Sequence, residues 1–143
     1  MSMPNAPKPL TAVLADVTRA GVRPLPPGSA TRLAEAAAQL GFSCARIDLD
    51  GCEDKAALLA RIAAALRFPD WFGQNWDALA DCLGDLSWLP TPGHVVLLEH
   101  AGEFRERHRE DFETTLSILR ETAESWAREQ VAFWAFIDLS TAE

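Results

Sequence analysis

The chain has 143 residues, 48% of them apolar, and a formal net charge of −8. That length suits one compact domain, and that apolar content is enough for a core, which argues against global disorder. The negative charge repels a phosphate backbone and sets the chain against direct nucleic-acid binding, while it steers a basic protein partner inward.

Cys44, Cys52 and Cys82 are an odd number without CxxC spacing, so they read as reduced thiols of a cytosolic protein. The N-terminal stretch lacks the apolar run of a signal peptide, and the longest apolar run, VAFWAFI at 131–137, is far too short to span a bilayer. The expectation is therefore a cytoplasmic protein with no membrane partner.

Six of the nine prolines fall within residues 1–27, and residues 1–9 read as a mobile tail. Residues 10–21 suit a short helix ended by Gly21. VRPLPPG at 22–28 cannot be helical and is at best a short edge strand and a turn. From Ser29, a candidate N-cap, an alanine-rich helix runs to a C-terminal glycine, Gly41.

CARIDLDG at 44–51 alternates, with Ala45, Ile47 and Leu49 on one side and charged residues on the other. It reads as a strand closed by the turn pair Asp50-Gly51. The next helix carries Leu58, Ile62 and Leu66 on its apolar face and stops before Pro69. HVVLLEH at 94–100 and VAFWAFIDL at 131–139 read as strands buried on both faces. Between them, EFRERHRED at 103–111 reads as a solvated connection, and 111–130 as a helix with Phe112, Leu116, Leu119 and Ala123 inward. Strands alternating with helices give an α/β fold with a small, mainly parallel sheet.

The stretch FPDWFGQNWDALADCLGDL at 68–86 is unusual. Gly73 suits a turn without a Cβ, and Asn75 is a good N-cap. Phe72, Trp76, Leu79 and Leu83 form the apolar face of the helix that follows. Asp77, Asp81 and Asp85 recur every four residues, and like charges at that spacing cost roughly 0.2–0.5 kcal/mol per pair. The helix dipole favours Asp77 in the first turn but not Asp81 one turn on. A solvated face and a binding face are both compatible with these residues.

At PDWFG, the following asparagine and DALADCL, the sequence resembles the barstar family of ribonuclease inhibitors. The likeness runs back through ARIDLDG and forward through VVLLEH, ILRETA and VAFWAFIDL, covering roughly 44–140, with 1–43 as an N-terminal extension. It implies a single α/β domain whose three-stranded parallel core comes from strands near 45–49, 94–99 and 131–138, with helices covering it. It also implies an intracellular protein that plugs the active site of a basic, secreted ribonuclease. The family's contact positions fall here on Trp71, Gly73, Asn75, Asp77 and Asp81, with Glu121 and Ile118 on a later helix. The family's small prototype carries tryptophan where Ala80 stands and tyrosine where Trp71 stands.

The competing reading is a non-inhibitory interaction module on the same scaffold, binding another basic protein. An enzyme would use Asp77 and Asp81 as an acid/base pair or as ligands of a hard metal, but no phosphate loop or nucleophile elbow accompanies them. His94, His100 and His108 have no HExxH spacing and read as loop or rim residues. No cofactor, metal or catalytic residue is expected.

Overall fold

The computed structural model describes residues 9–141. The tail expected over 1–9 lies, apart from Pro9, outside them. In chain order the elements are α1 (Leu10–Ala15), β1 (Val22–Pro24), α2 (Ala30–Gln39), β2 (Ser43–Asp48) and α3 (Lys55–Leu66). Then follow α4 (Trp76–Asp85), β3 (Gly93–Glu99), α5 (Gly102–Arg107), α6 (Arg109–Arg128) and β4 (Ala132–Ile137). Among the described residues no helix is long and apolar enough to cross a membrane.

The sheet has four strands in the order β1-β4-β3-β2, and every pairing is parallel. The three strands expected from the family likeness are present as β2, β3 and β4. The fourth, β1, is the proline-containing segment, placed at an edge where a missing N–H costs no ladder bond. The chain first crosses from one edge of the sheet to the other, through α2, and then returns strand by strand. A single crossover hand then requires the two sets of helices to lie on opposite faces.

They do. On one face Ala45, Ile47, Val96, Leu98, Phe133, Ala135 and Ile137 join a core with residues of α3, α4, α5 and α6. On the other, Val95, Leu97, Trp134 and Phe136 pack with Leu14 of α1, Leu25, and Leu33, Ala36 and Ala37 of α2. This period of two explains why β3 and β4 are apolar at consecutive positions: both faces of the sheet are covered.

Several local expectations are corrected. The first helix ends at Ala15 rather than near Gly21, because Asp16 turns the chain. Its carboxylate accepts from the backbone N–H and the hydroxyl of Thr18. Ser29 does not cap α2: its hydroxyl donates to the Pro26 carbonyl at 2.6 Å. The run 103–111 is no solvated connection. It contains α5 and the start of α6, and Phe104 is 1% exposed, anchoring α5 to the core. His94 is no rim residue; it is buried in β3 with its ring beside Trp126 and Phe133, and its Nδ1 lies 2.7 Å from Ser43 Oγ. Burial pushes its pKa down to about 4.

Candidate interaction site

The segment before α4 is held by an aromatic chain of edge-on contacts. Phe72 meets Phe68 at 5.0 Å, Phe68 meets Trp88 at 5.9 Å, and Trp88 meets Trp71 at 6.3 Å. Trp88 Nε1 donates to the Leu66 carbonyl at 2.9 Å, tying this cluster to the end of α3. Phe72 and Trp88 are half-buried, whereas Trp71, at the outer end, is 61% exposed. An indole that exposed is a large apolar surface presented to solvent.

Asn75 caps α4: its Oδ1 accepts from the Ala78 N–H at 2.8 Å, and its backbone is extended. The chain reaches this cap through Gln74, which holds the left-handed conformation at φ 53°. The turn therefore does not use Gly73 for a positive φ. A Cβ on Gly73 would meet only ordinary neighbours, Asn75 Nδ2 at 3.4 Å and Ala78 Cβ at 3.7 Å. Gly73 is exposed, and the packing around it does not demand glycine.

From Trp76 onward α4 buries Leu79, Cys82 and Leu83. It lies beside α6, and Trp126 Nε1 of α6 donates to the Leu83 carbonyl at 2.9 Å. That bond satisfies a carbonyl in the last turn of α4 and locks the two helices together at one end.

Toward the other end the helices leave an open groove of about 520 Å³. Trp76, Asp77 and Ala80 line it from α4. From α6 come Glu110, Glu113, Ser117, Ile118 and Glu121. Four carboxylates thus face the groove, and no arginine or lysine lines it. Lys55 of α3 places its Nζ 5.0 Å over the Trp76 ring. Asp77, Asp81 and Glu121 are exposed, and none has a side-chain hydrogen bond or ion pair among the described residues.

The fold therefore brings Asp77, Ile118 and Glu121 to one groove. Asp81 is one turn further along α4, outside its lining. Trp71, Gly73 and Asn75 sit on the approach to the N-terminus of α4. Sequence reasoning missed Glu110, Glu113, Trp76 and Ser117. Glu110, Glu113, Ser117 and Glu121 follow spacings of three, four and four, the signature of a single helix face. The sequence carries that pattern, but a helix beginning at 111 leaves Glu110 outside it, whereas α6 begins at Arg109.

Residues 42–138 match the family described as Barstar (barnase inhibitor). The chain belongs to the barstar family. No curated protein matches the chain. The barstar match takes in β2, β3 and β4 with α3 to α6, including every residue of the groove. It leaves α1, β1 and nearly all of the cover on the second face of the sheet before its first residue.

Proposed function

We propose that this barstar-family chain is a cytoplasmic inhibitor that occupies the active site of a basic ribonuclease with the face built from α4 and α6. The observation that carries this reading is the groove itself. Asp77 and Glu121, 44 positions apart, meet there with Glu110 and Glu113 and with no arginine or lysine in the lining. A ribonuclease site is rich in Arg, Lys and His because it holds phosphate. Carboxylates fixed on two packed helices can take the phosphate positions through charge-assisted hydrogen bonds. Their mutual repulsion is tolerable in water and is relieved when the cations arrive.

In this reading Asp77, Asp81 and Glu121 carry the charge. Trp71 lies on an aromatic or apolar surface of the partner, and Ile118 supplies an apolar contact between carboxylates. Asn75 acts mainly by capping α4, since its Oδ1 is already engaged. Gly73 permits close approach of the partner's backbone.

The test uses two baits on the source cell's lysate and secreted fraction: the chain itself and the Asp77→Ala/Asp81→Ala variant, checked for an unchanged fold. Proteins held only by the unaltered chain are then assayed for RNA cleavage with and without it. A basic ribonuclease that is captured and silenced supports the inhibitor. Capture of a basic protein without any cleavage to silence points instead to a non-inhibitory interaction module. Equal capture by both baits removes the acidic face from the reading altogether.

A further inference from the structure

The second face of the sheet carries a cavity that its cover does not fill. It has a volume of about 510 Å³, within the range typical of small-molecule sites. Val13 and Leu14 of α1, Leu33 of α2, and Trp134 and Phe136 of β4 supply apolar walls. The Trp134 and Phe136 rings are stacked, with centroids 5.3 Å apart and 4° between their planes. Trp134 Nε1 is already satisfied by the Leu14 carbonyl at 2.9 Å, so the indole contributes apolar surface.

The polar side chains around this apolar space are unbalanced in charge. Arg19, Arg23 and Arg32 line it, and no Asp or Glu does. In a chain of net charge −8 that is a local reversal of sign. Arg19 is paired with Asp16 at 3.3 Å. Arg23 donates only to backbone carbonyls, those of Arg19 at 2.7 Å and Val22 at 3.5 Å. Arg32 has no hydrogen bond or ion pair among the described residues, although Glu35 stands one turn further along α2. Two guanidiniums without a carboxylate therefore border a space that favours an apolar body.

We propose that this cavity binds a small amphipathic carboxylate, an acyl or aryl body with a single acid group. The body lies against Trp134, Phe136 and Leu33, and the carboxylate is held by Arg23 and Arg32 in the bidentate manner guanidinium allows. The complementarity of charge selects an anion. The concave shape, walled by α1, α2 and β4, selects a small molecule over a flat protein partner. The site is on the face of the sheet opposite the α4–α6 groove and is independent of any ribonuclease.

The full chain is titrated calorimetrically with decanoate below its aggregation concentration, with decanol as the uncharged counterpart, and with an acidic amphipathic peptide. Shifted amide and indole resonances locate the binding. The expected result is saturable decanoate binding at least tenfold tighter than decanol, with shifts at Val13, Leu33 and the Trp134 indole. The Arg23→Gln/Arg32→Gln variant weakens decanoate at least tenfold and leaves decanol unchanged. The single Arg32→Gln variant, which breaks no hydrogen bond or ion pair, moves decanoate in the same direction. Absent binding, equal affinity for decanoate and decanol, insensitivity to both variants, or shifts confined to the α4–α6 groove would each overturn the proposal. Tighter binding of the peptide than of decanoate at the same residues would overturn it in favour of a protein ligand.

Discussion

His94 shows how one side chain ties the fold to pH. Its buried ring has a pKa pushed down to about 4, while an unfolded chain would titrate it near 6.5. Between those values the unfolded state takes up a proton that the folded state refuses. Stability is therefore unaffected by this residue above 6.5 and falls as pH drops toward 4, by up to on the order of 3 kcal/mol. Chemical denaturation at pH 7 and pH 4.5 should show that loss, and His94→Gln should show a smaller one. Asp48 and Asp138 act in the same direction at still lower pH. Their carboxyls are held below the usual range, Asp48 by the Asp50 N–H and His100, and Asp138, against the raising effect of its partial burial, by the N–H groups of Ser140 and His100. The stability they contribute is present above the ordinary carboxylate range and disappears as pH falls through their folded values. On the proposed binding face, Asp81→Ala should leave the melting temperature nearly unchanged, because its carboxylate has no hydrogen bond or ion pair to lose. For the proposed complex, the same change should weaken binding by at least about 2 kcal/mol, roughly thirtyfold, as truncation of a charged contact that becomes desolvated in the complex does.

At the scale of elements, α4 was the most legible part of the chain. Asn75, Trp76 and the apolar spacing to Leu83 announce its start and its inward face, and the helix begins at Trp76. Asn75→Ala should cost about 1 kcal/mol, measured by urea denaturation, and should fray the turn that carries Asp77. The misreadings have physical causes. One buried aromatic, Phe104, in a run of charges gives too few apolar positions to display a helical period, so α5 was unseen. Gly73 looks like the residue that makes the turn, but the left-handed conformation falls on Gln74, a residue type that gives no sign of it in the sequence. The groove itself could not be read from local pattern. It exists because α4 and α6 lie side by side, a contact between segments separated in the chain by β3 and α5; only the family resemblance linked Glu121 to the aspartates. The bond from Trp126 to the Leu83 carbonyl holds that juxtaposition. Trp126→Phe should leave α6 helical yet weaken partner binding more than its modest loss of stability explains, because it loosens the spacing between carboxylates.

Across the whole molecule, the N-terminal elements are joined to the C-terminal strand. β1 pairs with β4, and the Leu14 carbonyl accepts the Trp134 indole N–H across 120 positions. Leu14 is fully buried. Leu14→Ala should lower stability by about 2–5 kcal/mol, and far-ultraviolet dichroism and tryptophan fluorescence should still report one transition. Two separate transitions would mean that α1 and β1 detach on their own. The resemblance could not have supplied this part of the fold, since the family match begins only at residue 42.

The strand order also imposes a timetable on synthesis. β4 lies between β1 and β3, so an interior strand of the sheet is the last of the four to leave the ribosome. Until it arrives, β1 has no partner and the sheet lacks its middle. Long-range parallel pairing of this kind is slow to form and exposes apolar edges while it waits. Nascent chains arrested before residue 132 should be protease-sensitive and should bind chaperones. If the acidic face binds a partner as proposed, it becomes effective only after the chain has been made through β4, so binding lags behind translation of the groove itself.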